Sequence, residues 1–295
     1  MAHRLLNPGM RLALALAAAL LALPLRAELA STAAPAQDDD LKISGLIMGI
    51  PAGSARYLSR ATLLASPAVV HLHERPADSI PAADLTVLPI DRLLQGLPLA
   101  PGADAVLFLC SDRWVSTVPI AFLNRVHPYL LLKYAGRTPA EGWPRFGPFE
   151  GLAPYYCHWS PALGPDVSER MEDGEFDATQ IVEIRAVSLA AHFAPFYPAR
   201  LAGLSPAGRE GRRLFIRECN NCHQGPGETG GNTSQRPFSI LEVHAALNTA
   251  YFRTFVRNPR PFYPNTVMPT HEYFTAAMMD DLVAFLSEAR AAGVN

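Results

Sequence analysis

The pentapeptide Cys219-Asn220-Asn221-Cys222-His223 limits what this chain can be more than any other feature. Two thiols three positions apart, with a histidine directly after the second, are typical of covalent attachment of a c-type haem. Both thiols bond to the porphyrin, and the histidine is held beneath the iron as its ligand. With 4 cysteines and 9 histidines among 295 residues, the pattern rarely arises by chance. The alternative interpretations are a redox Cys-x-x-Cys, half of a zinc site and a local disulfide.

The first 36 residues are typical of an export signal. His3, Arg4 and Arg11 form a basic start, and Leu12–Leu23 is an unbroken run of leucine and alanine. That run is too short to span a bilayer but has the length of a signal-peptide core. We therefore expect an exported, periplasmic protein, with cleavage after residue 27 or 36 and no stable transmembrane segment after cleavage. A retained N-terminal anchor is the alternative.

Charge is distributed unevenly along the chain. Residues 37–204 carry 13 basic and 18 acidic side chains, a net charge of −5, whereas residues 205–295 carry 9 basic and 8 acidic ones. Neither part is basic enough to indicate binding to nucleic acid. The partners that we expect are therefore proteins.

Helix signals dominate residues 205–295. Ser205 and Pro206 are typical of a helix start, with the serine as the N-cap and the proline in the first turn. The spacing of apolar residues predicts a further helix over 241–256, which the prolines after it end, and a last helix over 276–286. The C-terminal part is therefore expected to be all-α.

This part of the chain resembles a class I cytochrome c domain. In that family, a helix carrying Gly-x-x-x-Phe/Leu precedes the Cys-x-x-Cys-His motif and crosses the last helix, where the glycine meets an aromatic residue. Gly211, Phe215 and Phe285 match that pattern. The distal iron ligand of the family is a methionine before the last helix, usually followed by proline, and Met268-Pro269 matches it. The resemblance extends over residues 205–295.

The resemblance implies one covalent haem c, bonded to Cys219 and Cys222, with His223 and Met268 as the axial ligands of the iron. A His/Met pair fills both axial positions and raises the potential relative to two histidines, which favours electron transfer over oxygen activation. We also expect the ring of His223 to donate its outer N–H to a backbone carbonyl near Pro226, because such a bond fixes the orientation of a ligand histidine.

Other side chains compete with Met268 for the distal position. His271 is close to it in sequence and is an alternative ligand, as is His244, unless each is an ordinary surface or core residue. Met278 and Met279 lie in the predicted last helix, where core packing is the simpler interpretation. Three arginines on the approach to the methionine either bind the haem propionates or form a solvated face: Arg253, Arg257 and Arg260.

Residues 42–195 predict an α+β domain that is mostly β. Short apolar runs alternate with Pro, Gly and Asp, and a short helix is predicted over Asp91–Leu94. The predicted strands are Val69–Leu72, Leu85–Leu88, Ala105–Leu109, Tyr129–Leu132 and Ile181–Val187. The sequence contains no P-loop, no G-x-G-x-x-G and no metal-spaced His/Glu cluster. Residues 196–204, rich in Pro and Ala, predict a linker.

Several segments of the N-terminal part follow one another in an order known from a second family. They are Pro89–Leu94, Ala105–Trp114, Ser116–Ile120, Leu130–Leu132 with Gly136, and Gly147-Pro148. The order is similar to that of the molybdopterin-binding domain of sulfite-oxidase-like enzymes, which bind molybdenum through a cysteine upstream of the turn that follows the second segment. The first cysteine here, Cys110, lies inside the strand that leads to that turn, so we expect a cofactor-free relative. Cys110 and Cys157 either pair as a disulfide or stay buried as thiols.

The sequence therefore predicts a two-domain, exported mono-haem c-type cytochrome that transfers single electrons between periplasmic redox partners. Residues 42–195 would serve for docking and residues 205–295 would carry the haem. One alternative is a molybdopterin-dependent oxidoreductase with the haem as its internal electron acceptor. Another is a haem-based sensor or peroxidase, in which the distal ligand leaves the iron. No residue is assigned a catalytic role.

Overall fold

The structure, a computed structural model, describes residues 29–76, 80–145, 151–159, 176 and 178–294. Most of the predicted export signal and the Gly147-Pro148 step lie outside the described residues. Within the described part of the chain, no helix is both long enough and apolar enough to cross a membrane. A β-rich region is followed by a helical region, so the predicted change of fold class along the chain is confirmed.

The β-rich region alternates strands with short helices. Its strands are β1 (Leu41–Gly45), β2 (Ala55–Leu58), β3 (Val70–Glu74), β4 (Ala83–Pro89), β5 (Ala105–Cys110), β6 (Val115–Pro119), β7 (Tyr129–Tyr134), β8 (Cys157–His158) and β9 (Ile181–Val187). Its helices are α1 (Arg60–Leu64), α2 (Ile90–Gln95), α3 (Ile120–Val126) and α4 (Leu189–His192). All the predicted strands are present, as is the short helix at Asp91.

The strands form two sheets that pack against each other. The first has the order β2-β1-β9-β5-β6, and the second has the order β3-β4-β7-β8. Among the described strands, β1 and β9 pair in parallel and the other pairs are antiparallel. Apolar side chains of both sheets meet in one buried core, which includes Leu41, Ile43, Val106, Phe108, Leu88, Leu130 and Leu132. This core stabilises the β-rich region because it removes a large apolar area from water.

Both cysteines of the β-rich region lie in this core. Cys110 ends β5 in the first sheet, and Cys157 begins β8 in the second. Both side chains are buried there, and a cysteine in such surroundings packs as a small apolar side chain. The two cysteines therefore take part in the packing between the two sheets.

Strand β1 is not predicted from the sequence, because polar residues interrupt its run of apolar residues. Ser44 of β1 donates a 2.5 Å hydrogen bond to the carboxylate of Glu183 on β9, and Lys42 forms a 2.8 Å ion pair with it. Burial favours the protonated acid, but the hydrogen bonds from Lys42, Ser44 and Arg185 prevail and hold the pKa of Glu183 below its usual value. The strand is thus stabilised by a residue far away in the sequence.

The helical region consists of four α-helices among the described residues. They are α5 (Pro206–Glu218), α6 (Phe238–Leu247), α7 (Thr249–Arg257) and α8 (Ala276–Ala291). Ser205 is the N-cap of α5, as the sequence predicts: its hydroxyl accepts a 2.9 Å hydrogen bond from the backbone N–H of Gly208 and donates one of 2.6 Å to Glu288 of α8. The cap therefore also ties the start of α5 to the last turns of α8.

Helices α5 and α8 cross at Gly211. A Cβ atom added to this glycine would lie 1.8 Å from the backbone oxygen of Asp281 on α8, so the two main chains approach too closely for any side chain. The rings of Phe215 and Phe285 pack beside the crossing with their centroids 5.9 Å apart. The glycine thus meets the main chain of α8, and the aromatic pair packs beside this crossing.

Replacing Gly211 by alanine is expected to lower the free energy of unfolding by about 1–3 kcal/mol, which is the usual cost of forcing extra atoms into a packed contact. The midpoint of thermal unfolding measures the effect. Gly203→Ala is the matched control, because nothing lies within 4 Å of a Cβ added at Gly203. Equal midpoints for the two variants would contradict the close crossing of α5 and α8.

The single helix predicted over 241–256 is wrong. Residue Asn248 adopts φ −137° and ψ 50°, and this break separates α6 from α7. Asparagine leaves helical geometry readily because its side chain competes for backbone hydrogen bonds. The last helix begins at Ala276 as predicted but continues to Ala291, past the predicted end at residue 286.

Residues 196–204, predicted as a linker, pack as part of the helical region. Phe196, Leu201 and Leu204 are buried in its core. The ring of Phe196 lies 5.9 Å from that of Phe215 and 6.4 Å from that of Phe285. The connection between the two regions is therefore held against the helices by apolar packing.

Candidate haem site

The Cys-x-x-Cys-His motif forms a tight loop at the end of α5. Cys219 is the C-cap of that helix, and its backbone oxygen accepts hydrogen bonds from the N–H groups of Cys222, at 3.2 Å, and His223, at 2.8 Å. These bonds fold residues 219–223, the attachment loop, back onto the helix end. Both thiols and the imidazole are thereby brought together beside the core of the helical region, where a porphyrin requires them.

The side chain of Asn220 stabilises the attachment loop by hydrogen bonds. Its side chain is almost fully buried and donates hydrogen bonds to the backbone oxygens of His223, at 3.1 Å, and Thr229, at 2.8 Å. A buried amide that satisfies two carbonyls of different segments fixes their relative position. This role was missed by the sequence analysis, because the two positions between the cysteines carry no pattern of their own.

The surroundings of the two thiols in the loop favour their neutral form. Burial, with a smaller contribution from Asp112, raises the pKa of Cys222 to about 12, and burial also raises the pKa of Cys219. Zinc binding and disulfide exchange both require the thiolate, and the cysteines that perform them have lowered pKa values. The raised pKa values of the two thiols therefore do not fit a redox Cys-x-x-Cys site. Within the described part of the chain, no three His, Cys, Asp or Glu residues are grouped so that they could hold a metal ion.

The imidazole of His223 is neutral and has an unused nitrogen. Burial, followed by the proximity of His271, lowers the pKa of His223 to about 4. Its Nδ1 atom is buried and has no hydrogen-bond partner among the described residues. A neutral imidazole with an unsatisfied nitrogen is the form that ligates iron, so this residue fits the proximal position.

The expected hydrogen bond from His223 to a carbonyl near Pro226 is absent from the described residues, so that expectation is wrong. The backbone oxygen of Pro226 accepts instead from the N–H of Thr229, at 3.3 Å. The short 3-10 helix Pro226–Glu228 makes this local bond and so uses the carbonyl within its own turn.

The candidates for the distal position occupy different surroundings. Met268 is half-buried and packs against the helical core, and its backbone N–H donates to the hydroxyl of Thr266 at 3.2 Å. His271 is buried, with its Nδ1 atom 3.3 Å from the backbone oxygen of Val256. The hydroxyl of Tyr273 donates a 2.7 Å hydrogen bond to the carboxylate of Glu218, the last residue of α5, so the segment that carries both candidates reaches the helix end beside the attachment loop.

The remaining candidates have other contacts. Met279 is buried in the helical core and Met278 packs against it, as expected of core residues. The guanidinium of Arg253 pairs with Asp280 at 2.5 Å, and that of Arg257 donates to the backbone oxygen of Glu272 at 3.3 Å. These arginines therefore bind surface groups of the helical region itself.

The β-rich region contacts the attachment loop directly. Residues 111–114 form the turn between β5 and β6, here called the β5–β6 turn. The backbone N–H of Val115 donates to the oxygen of Asn221 at 3.1 Å. The sequence gives no sign of this contact, since it joins residues on opposite sides of the predicted domain boundary.

One comparison with known proteins identifies the helical region. The family model described as cytochrome c oxidase, cbb3-type, subunit III matches residues 206–286. The match starts at the first residue of α5, includes the attachment loop and Met268, and ends within α8. No curated protein matches the chain. The match supports a c-type cytochrome domain in the C-terminal part of this chain, the kind of domain that an electron-transfer haem protein carries.

Proposed function

We propose that this chain is an exported mono-haem c-type cytochrome that transfers single electrons between periplasmic redox partners. The observation that carries the proposal is the attachment loop at the end of α5. It carries Cys219, Cys222 and a half-buried His223 of lowered pKa inside the segment that matches a cytochrome family. The haem supplies a one-electron couple when bound.

The residues around the loop have roles that suit electron transfer. Cys219 and Cys222 would anchor the porphyrin, and His223 and Met268 would hold the iron from its two faces. The packed aromatic rings of Phe215, Phe238 and Phe285 exclude water from the interior beside α5 and α8. A site with two protein ligands and dry surroundings changes little in structure when it gains or loses an electron.

We also propose that the β-rich region is a cofactor-free relative of the sulfite-oxidase-like fold and serves for protein contact. The support for this is its lack of a cysteine before Cys110 in the whole sequence, because molybdenum in that enzyme class needs a thiolate ligand. Its net charge of −5 favours a partner with a basic face, and we expect the rate of haem reduction by such a partner to fall as salt is added.

Elemental analysis separates this proposal from the molybdenum enzyme. Protein exported from a host supplied with molybdenum should contain one iron per chain and no stoichiometric molybdenum. The same host expressing a known molybdenum enzyme is the control for cofactor supply. One molybdenum per haem iron would contradict the contact role of the β-rich region and establish the oxidoreductase alternative.

A further inference from the structure

The β5–β6 turn and the first residue of β6 are joined by main-chain hydrogen bonds to the attachment loop and to the segment that follows it. The N–H of Val115 donates to the oxygen of Asn221 at 3.1 Å, and the N–H of Asn232 donates to the oxygen of Arg113 at 2.9 Å. The first acceptor lies between the two attachment cysteines. Because these bonds involve backbone atoms, the contact is a fixed pairing of chain segments and does not depend on flexible side chains.

The fit at this contact excludes any side chain at Gly231. A Cβ atom added there would lie 1.7 Å from the backbone oxygen of Asn221 and 3.0 Å from that of Arg113. The N–H of Gly231 also donates to the oxygen of Asn220 at 2.8 Å. Three segments therefore meet at one glycine: the turn, the attachment loop and the segment after it.

The turn itself is anchored in the β-rich region. Trp114 packs against the core between the two sheets. The carboxylate of Asp112 accepts a 3.0 Å hydrogen bond from the backbone N–H of Trp114, which holds it at the tip of the turn. Arg113, between them, adopts a left-handed conformation with φ 71°. The position of the Asp112 charge is thus set by the fold of the β-rich region.

That charge acts on the attachment loop. Asp112 directly precedes Arg113, whose backbone oxygen is bonded to Asn232 and faces Gly231 beside the attachment loop, so the carboxylate of Asp112 is within electrostatic reach of the loop. Asp112 is exposed, and an exposed charge retains a reduced but measurable effect over such a distance at low salt.

We propose that the β5–β6 turn is an internal docking contact through which the β-rich region sets the reduction potential of the haem. Main-chain hydrogen bonds from the turn and from the start of β6 hold the attachment loop and the segment after it, and the fold places the carboxylate of Asp112 near the loop, where the Cys222 thiol would hold the haem. The inference rests on the proposed function, because it requires haem at that thiol. A negative charge there stabilises the ferric state over the ferrous state, since the ferric centre carries one more positive charge.

The test is the midpoint potential of the full-length haem protein with Asp112→Asn, which keeps the shape of the side chain and removes its charge. We expect the equilibrium to shift about threefold to tenfold toward the ferrous form at low salt. A tenfold shift is a rise of about 59 mV for one electron. The shift should shrink at high salt because the charge is exposed. Asp84→Asn is the control, since Asp84 is an exposed carboxylate on β4, in the other sheet.

A double variant tests whether the effect of the Asp112 charge on the reduction potential depends on the contact between the β5–β6 turn and the attachment loop. Gly231→Ala should push the turn away from the loop, so adding Asp112→Asn to it should move the potential much less than in the otherwise unchanged protein. Covalent haem is measured in every variant. Haem that is attached but has the same potential with and without the Asp112 charge would overturn this inference alone, whereas absence of covalent haem from the unmodified protein would overturn the proposed function.

Discussion

The double variant Cys219→Ala/Cys222→Ala is expected to lose its haem completely on extraction with acid and acetone. The unmodified protein should keep its haem through the same treatment, because two covalent bonds survive the loss of the fold whereas iron–ligand bonds do not. Haem content is measured by the absorption of the pyridine complex and by the mass of the denatured chain. This effect is the largest that we predict, since it is the difference between a full complement of covalent haem and none.

The other two cysteines supply the matched control. Cys110 and Cys157 are buried in the core between the sheets, so Cys110→Ala/Cys157→Ala should reduce stability but leave covalent haem in place. Haem that resists extraction from the Cys219/Cys222 double variant would contradict the assignment of the attachment site.

Met268→Ala is expected to abolish the weak red absorption band that sulfur ligation gives to ferric haem and to lower the reduction potential markedly. Thioether ligation raises the potential relative to other axial arrangements, so its loss acts in the opposite direction. Loss of the distal ligand also opens the iron, and the reduced variant should bind carbon monoxide whereas the unmodified protein resists it. Absorption spectra, redox titration and carbon monoxide binding measure these changes.

Two variants complete this experiment. Met278→Ala is the control, because Met278 packs against the helical core from within α8. His271→Ala tests the alternative ligand, since His271 is buried close enough to affect His223. If His271→Ala removed the low-spin state while Met268→Ala did not, the distal ligand would be the histidine. Ready binding of carbon monoxide by the unmodified protein would instead support the sensor or peroxidase alternative.

The sequence predicts those parts of the fold that depend on local patterns. Ile181–Val187 is a continuous apolar-rich strand, and the structure places β9 over those residues. Ser205 caps α5 as expected, because an N-cap depends only on the residues next to it. The break at Asn248 was missed, since the apolar spacing continues through it. Strand β1 was missed because its polar residues are satisfied by Glu183, a partner that no local pattern reveals.

At the candidate haem site, too, local sequence patterns predict some features, whereas tertiary contacts determine others. The motif alone locates the two thiols and the histidine, and the structure brings them together at the end of α5. The hydrogen bonds of the Asn220 side chain and the position of the Asp112 carboxylate depend on tertiary contacts. Spacing along the chain therefore does not predict them. The bond expected from His223 to the carbonyl region of Pro226 is not formed among the described residues, where the Pro226 carbonyl accepts from the N–H of Thr229.

The contact between the β5–β6 turn and the attachment loop also limits the order in which the protein matures. A porphyrin is a rigid plane that must reach both thiols, and Asn221, which lies between them, is almost fully buried and bonded to Val115. We therefore expect the loop to be more accessible to a porphyrin before the β-rich region packs against it than afterwards. On this expectation, haem attachment precedes the joining of the two regions.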